Sequence, residues 1–144
     1  MSPHAVPMLI PMAVLVIWSL VILAWLATVR VRAMIRLRVH PQKYPRTQDL
    51  GAALPENAQW KADNYNNLME QPTLFYAVVL ALAYLGESSG LNLILAWAYV
   101  ASRVVHSLVH VIANRVVWRF RVFAVSTVIL LALAISLLVS LLGA

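Results

Sequence analysis

The sequence contains no cysteine, and only five of its 144 residues are acidic. Without a thiol the chain can form no disulfide, bind no metal through sulfur and use no cysteine as a nucleophile. Charged residues make up 11% of the chain, against about a quarter in a typical soluble domain. Hydrophobic residues make up 62%, and a water-soluble fold of this size could not bury that much apolar surface.

The apolar residues are grouped into blocks long enough to cross a membrane. Residues 5–29 and 122–144 contain no charged side chain, and each block reaches the roughly 20 residues that a spanning helix needs. Two shorter blocks have flanking sequence that can extend them. The sequence therefore predicts an all-α protein, in which residues 1–144 form one integral membrane four-helix bundle. The predicted spans are about 6–32, 62–85, 91–114 and 120–142.

The first apolar block is near the N-terminus, so it could also be a signal peptide. No positively charged segment precedes it, and Arg30 and Arg32 follow it instead of a cleavage site. We therefore expect it to remain as a membrane span.

The net charge of +6 is unevenly distributed along the chain. Seven of the eleven basic residues lie at positions 30–61, and the other four lie at positions 103–121. Since basic connections stay on the cytoplasmic side, we expect the first and third connections in the cytoplasm and both termini outside. This distribution argues against a nucleic-acid partner and favours membrane lipids. The compact, cysteine-free chain suggests a bacterial inner membrane, and we expect the long first connection to be irregular.

Polar side chains at membrane depth form one stripe on the second predicted span and one on the third. Within each stripe they recur at steps of three and four, so each set lies on one face of a helix. Because polar groups are costly to bury in a bilayer, we expect the stripes to face each other or a shared cavity. The residues are Asn64, Asn67, Glu70 and Gln71 on the second span, and Arg103, His106, His110 and Asn114 on the third.

Two interpretations of these stripes remain open. They can form a structural network in which Glu70 lies opposite arginine and histidine and ties the helices together. They can also line a ligand site open to the cytoplasm, because they offer more hydrogen-bond donors than one glutamate can use. His106 and His110 have the spacing of a metal-binding pair, but no third ligand at a suitable spacing is evident, and we expect no metal.

The same residues resemble a known family of membrane proteins. Residues 64–75, followed by Arg103 and His106 and then by Arg119 near the last span, are similar to the MAPEG superfamily, the membrane-associated proteins of eicosanoid and glutathione metabolism. The resemblance covers nearly the whole chain. It implies a homotrimer with active sites at the subunit interfaces, facing the cytoplasm. In the enzymes of the family these sites hold glutathione.

The resemblance also implies roles for individual residues. Arg119 matches the arginine that stabilises the glutathione thiolate and is the predicted catalytic residue. His110 takes the place of a ligand-contacting tyrosine, and Asp63 takes the place of an arginine. Phe120 and Phe123 stand where the prostaglandin E synthase branch has hydroxyl groups. The residues implied to bind glutathione are Arg30, Asn67, Glu70, Arg103, His106 and His110.

The chemistry of glutathione sets what such a site must supply. Its two carboxylates and one ammonium require at least two cations and one anion, and the forked donors of arginine suit carboxylates. Arg30, Arg103 and Arg119 with Glu70 meet that requirement. A positive group must also stabilise the reactive thiolate, for which Arg119 is the first candidate and His110 the second.

Three functions are therefore compared. The first is a membrane-bound glutathione-dependent transferase or peroxidase, with glutathione as co-substrate and a hydrophobic electrophile or lipid peroxide arriving from the bilayer. The second is a non-catalytic MAPEG-like protein that binds lipid. The third is an unrelated four-helix transporter with Glu70 as a coupling carboxylate. Small exporters of that kind carry their glutamate in the first span, which has none here.

The charge asymmetry predicts the orientation of the chain in the membrane. Reporter fusions after Arg46 and Arg115 should report the cytoplasm, whereas fusions after Ser88 and Ala144 should report the opposite side, because arginine-rich connections are retained inside. Alkaline phosphatase and fluorescent protein reporters measure the two locations independently. The inverse pattern would contradict the predicted orientation.

Overall fold

The computed structural model describes residues 6–88 and 90–143. Within these residues the chain is all-α. Its α-helices are α1 (Val6–Leu37), α2 (Thr47–Ala52), α3 (Glu56–Tyr84), α4 (Gly90–Leu108) and α5 (Val116–Leu142). A short 3₁₀ turn at Pro41–Lys43 lies between α1 and α2, and a π-helical turn at Val109–Ala113 continues α4.

Three helical segments of the described chain are long and apolar enough to cross a membrane: Val6–Leu37, Gly90–Ala113 and Val116–Leu142. Their outward faces are apolar, since Ile17 is 61% exposed and Val128 is 65% exposed. Apolar surface of this extent is typical of contact with lipid, so the helices indicate an integral membrane protein. The fourth long helix, α3, is less apolar because six of the nine residues at positions 63–71 are acids or amides.

One face of α1 packs against α3 and α4. Its buried residues recur at steps of three and four, as expected for a single helix face. They are Met8, Pro11, Leu15, Ser19, Ile22 and Leu26. In the same core the rings of Phe75 on α3 and Tyr99 on α4 stack with their centroids 4.4 Å apart, which holds α3 and α4 together beside the polar stripes.

Helix α5 packs along α4 and is joined to it by side-chain hydrogen bonds at two levels. The hydroxyls of Ser102 and Ser126 lie 2.8 Å apart. Nearer the other end of the pair, the Ser136 hydroxyl donates to the Asn92 side-chain oxygen at 2.7 Å. Such bonds between helices contribute to association in a bilayer, where apolar packing against lipid offers little preference for one neighbour over another.

The short connection between α3 and α4 is a glycine-terminated turn. Gly86 adopts a left-handed conformation, with φ of 81°. Its N–H donates to the Ala83 carbonyl at 3.2 Å, and the Glu87 N–H donates to the Leu82 carbonyl at 2.9 Å. This pair of bonds caps the end of α3, within the short connection that the sequence predicts between the second and third spans. Ser89 of this connection lies outside the described residues.

Within the described residues, three of the four long helices are longer than the spans predicted from the sequence. Helix α1 continues to Leu37, α3 begins at Glu56 and α5 begins at Val116. Apolar length sets how much of a helix lies in lipid, whereas arginine, leucine and alanine favour helix beyond that limit. The first connection is also not wholly irregular, because α2 and the 3₁₀ turn form within it.

Candidate functional site

The centre of the polar region is Arg103, whose side chain on α4 is completely buried. Its Nη2 donates to the Asn67 backbone oxygen at 3.1 Å and also to the Asn67 side-chain oxygen. Its Nη1 donates to Gln71 Oε1 at 3.4 Å, and the Tyr99 hydroxyl donates to that same oxygen at 3.2 Å. The polar stripes of α3 and α4 therefore meet at this arginine.

A cavity of about 250 Å³ opens beside Arg103, between α3, α4 and the beginning of α5. Its lining has a polar part and an apolar part. The lining residues are Asn67, His106, Val116, Arg119, Phe120 and Phe123. The Arg103 guanidinium carbon lies 5.7 Å from the centre of the Phe123 ring, so a second cation is next to the cavity wall.

Arg119 is positioned by the corner between α4 and α5. The π-helical turn ends at Asn114, which adopts a left-handed conformation with φ of 45°, a conformation that asparagine tolerates better than most residues. The Asn114 N–H donates to the Val109 carbonyl at 2.8 Å, and its side-chain oxygen accepts a hydrogen bond from Arg119 Nη1. The corner therefore directs the guanidinium of Arg119 to the polar part of the cavity.

Two buried histidines belong to this region: His106 lines the cavity, and His110 lies one turn further along the chain. His106 is 3% exposed and His110 is 2% exposed, and their ring centroids are 5.8 Å apart in an edge-to-face arrangement. Within residues 6–88 and 90–143, both ring nitrogens of His110, Nδ1 of His106 and the side-chain amide of Asn64 have no hydrogen-bond partner. Because an unpaired buried polar group costs about 1–3 kcal/mol, these atoms are suited to bind water or a ligand group.

The structure brings five of the seven predicted site residues into this region: Asn67, Arg103, His106, His110 and Arg119. The other two predicted site residues, Arg30 and Glu70, lie outside this region. Arg30 is half-buried on α1 and does not line the cavity. Glu70 is exposed on α3, because it is turned about 60° around the helix axis from Asn67.

Sequence reasoning placed Gln71 on the polar stripe of the second span but not among the predicted ligand contacts, and it did not single out Tyr99. Gln71 accepts from Arg103 and Tyr99 as described, and its Nε2 donates to the Thr127 hydroxyl of α5 at 2.8 Å. Helical spacing could have found both residues, because Gln71 lies four residues after Asn67 and Tyr99 lies four residues before Arg103. Each stripe simply extends one turn farther than the predicted set of ligand contacts.

Comparison with known proteins gives one family. A family model described as the MAPEG family matches residues 8–139, which is nearly the whole chain. Comparisons with curated proteins and with solved structures gave no match. The match includes all of the residues that line the cavity.

The hydrogen bonds of Arg103 predict a difference between two adjacent asparagines. Asn67→Ala should lower the free energy of unfolding by about 1–3 kcal/mol, because a buried guanidinium loses a side-chain acceptor. Asn66→Ala, at an exposed position on the same helix, should change it by less than about 0.5 kcal/mol. Thermal or denaturant unfolding in detergent, without glutathione, measures both. Equal stability of the two variants would contradict a stabilising role for the Asn67 side chain.

Proposed function

Because the chain belongs to the MAPEG family, we propose that it is a membrane-bound glutathione-dependent transferase or peroxidase acting on hydrophobic electrophiles or lipid peroxides. The observation that carries the proposal is the pairing of Arg103 and Arg119 beside one cavity. In the described chain their side-chain hydrogen bonds go to amide oxygens of Asn67, Gln71 and Asn114, not to carboxylates. Two cations without a bound carboxylate in a poorly solvated site favour an anionic ligand.

The size of the cavity supports a site completed by another copy of the chain. Small-molecule sites usually enclose about 300–1,000 Å³, whereas the cavity within one chain is about 250 Å³. A tripeptide such as glutathione would extend beyond it. We propose a homotrimer, in which the neighbouring subunit forms the missing wall.

The outward face of α3 supports the same assembly. Asp63, Asn66, Glu70 and Thr73 recur along this face and are all exposed in the single chain. If α3 is the fourth membrane span of a four-helix bundle, lipid contact at these residues would be costly. A neighbouring subunit would cover the face and bring its own groups to Glu70. An interface site of this kind would also give Arg30, about two turns before the end of α1, a ligand to bind from the side opposite Arg119.

The proposed orientation follows from the arginines. The last turns of α1 and the first turns of α5, which carry the arginines, would face the cytoplasm. Both termini would lie on the other side of a bacterial inner membrane. The cavity lies at the beginning of α5, near this arginine-rich end. A water-soluble co-substrate could then enter from the cytoplasm and a hydrophobic one from the bilayer.

Each polar group of the proposed interface site has a role. Glutathione supplies a thiol nucleophile when bound. Arg119 would favour the ionised sulfur, since the thiolate is the reactive form and a nearby cation lowers the energy of its charge. Arg103 and Arg30 would bind carboxylates, Glu70 would bind the ammonium, and His106 and His110 would complete the hydrogen bonds.

The apolar part of the cavity supports a hydrophobic second substrate. Phe120 is 70% exposed and Val116 is 69% exposed, and both line the cavity where it meets the outer surface of α5. A hydrophobic electrophile or a peroxide on an acyl chain could therefore reach the polar part without leaving an apolar environment. Exclusion of water there would also strengthen the field of Arg119.

The same apolar residues favour a second candidate function. A non-catalytic member of the family would use Val116, Phe120 and Phe123 to hold a lipid, with the arginines binding its polar end. The family includes both glutathione enzymes and non-catalytic members. Lipid binding without turnover of glutathione is the observation that would favour this alternative.

The role of Arg119 is tested with a neighbouring arginine as control. Arg119→Gln should lower kcat for conjugation of a hydrophobic electrophile by about 10²–10³-fold, because a group that stabilises developing charge is lost. It should also reduce the thiolate absorbance that glutathione gains on binding. Arg121→Gln removes the same charge from an exposed side chain stacked on Trp118 and should leave both properties nearly unchanged. Wild-type protein that neither binds nor conjugates glutathione would contradict the proposed function.

The interface is tested through Glu70. Native mass spectrometry in mild detergent should give three chains for both wild type and Glu70→Gln. The variant should bind glutathione about 10- to 150-fold more weakly, because a charge-assisted bond to the ligand ammonium is lost, with little change in melting temperature. A monomer that binds glutathione normally would contradict the trimeric site. Unchanged binding with a large fall in melting temperature would assign Glu70 to a structural network instead.

A further inference from the structure

A second groove lies apart from the candidate site, between the last turns of α1 and the beginning of α3. It has a volume of about 330 Å³. Arg32 and Arg36 line it together with Ala33 and Leu37 on α1, and Asn57 lines it on α3. None of these residues lines the cavity beside Arg119. We call this region the arginine groove.

The arginine groove is positively charged. Arg32 and Arg36 are one helical turn apart and therefore point to the same side of α1, and both are exposed. No acidic residue is among the side chains of the described chain that line the groove. The nearest acid in the sequence of α3, Glu56, is exposed and is not part of the lining. Two unneutralised guanidinium groups in one groove are suited to a phosphate, which arginine binds with two parallel hydrogen bonds.

A buried lysine adds to this charge. Lys61 is 6% exposed, and its Nζ donates to the backbone oxygen of Asn57, which lines the groove, at 3.0 Å. The same ammonium lies 5.1 Å from the centre of the Trp25 ring on α1. In the described chain neither contact is with a carboxylate, so Lys61 contributes to the positive potential between the two helices.

The groove lies on the headgroup side of the membrane boundary that Trp25 marks on α1. Tryptophan prefers the boundary between acyl chains and headgroups, and Trp25 is 38% exposed on the apolar part of α1. At 1.5 Å per residue, the backbones of Arg32 and Arg36 lie roughly 10 and 16 Å beyond Trp25. Because side chains on a helix extend towards its N-terminus, the long side chains of these arginines reach back towards the headgroup layer. Val29, between Trp25 and the arginines, continues the groove towards the apolar part of the helix.

We propose that the arginine groove binds the phosphate of an anionic phospholipid, with an acyl chain lying along Val29 and the apolar face of α1. The positive charge of the groove fits an anionic headgroup. The apolar side chains of Val29, Ala33 and Leu37 favour a lipid over free phosphate, because free phosphate would leave them without a partner. The site is independent of the glutathione proposal. It would hold α1 and α3 in one register at the membrane surface.

The test compares lipid binding by two double variants that lose the same charge. Delipidated full-length protein in mild detergent is titrated with phosphatidylglycerol or phosphatidylcholine, and native mass spectrometry counts the lipids bound per chain. Wild type should prefer phosphatidylglycerol. Arg32→Gln with Arg36→Gln should weaken its binding by about 25-fold, or about fivefold for each arginine near a membrane surface. The control pair Arg38→Gln with Arg46→Gln removes the same charge outside the groove and should weaken binding clearly less than the groove pair, because neither guanidinium can donate to a phosphate held in the groove.

Two further variants and a competition experiment separate the effects of charge, of the shape of the groove and of the source of the phosphate. Arg32→Lys with Arg36→Lys keeps the charge and should retain most of the preference for phosphatidylglycerol. Ala33→Phe fills the groove without changing charge and should weaken lipid binding, which keeps the test valid if the glutamine pair fails to fold. Equal losses in both glutamine pairs, displacement of phosphatidylglycerol by inorganic phosphate at the same concentration, or a native oligomer that covers the groove and binds no lipid would each overturn the proposal.

Discussion

A completely buried arginine constrains how three helices of this protein fit together. An unpaired guanidinium in a low-dielectric environment is costly, so Arg103 requires acceptors from its neighbours. Asn67 and Gln71 provide them from α3, and Gln71 in turn bonds to Tyr99 on α4 and Thr127 on α5. A shift of α3 by one residue would turn these acceptors away from the arginine. The requirement also explains why α3 is the least apolar of the four long helices.

In the same arrangement, the polar side chains of α3 lie on two different faces of the helix. Asn67 and Gln71 face the interior of the chain and accept hydrogen bonds from the two Nη atoms of Arg103, whereas Glu70 faces outward. An inward glutamate would neutralise Arg103 within the chain and reduce its attraction for an anionic ligand. With neutral amides as partners, the arginine keeps its full charge beside the cavity. The packing of one chain thus buries the positive charge of Arg103 and leaves the negative charge of Glu70 on the outer face of α3.

Part of the site could be predicted because helical spacing is a local property. Steps of three and four residues place Asn67 on one stripe and Arg103 with His106 on another, and burial cost requires such stripes to meet a partner. The family resemblance was confirmed by a match over residues 8–139. The direction of Glu70 could not be predicted, since it depends on how α3 is rotated against α1, and that rotation is set by apolar contacts such as those of Leu68 and Phe75. The connection before Arg119 was predicted, but the π-helical turn that leads into it was not, because nothing in its residues distinguishes it from ordinary α-helix.

The π-helical turn affects how this architecture can be recognised in other chains. A π-helical turn holds one residue more than an α-helical turn and can be regarded as an α-helix with a single inserted residue. Here it lies between His106 and Arg119, two residues that line the same cavity. A chain without the inserted residue could place an equivalent histidine and arginine at the same cavity with one residue fewer between them. The number of residues between these two positions can therefore differ by one among chains with this architecture. An alignment across this corner should allow a one-residue gap.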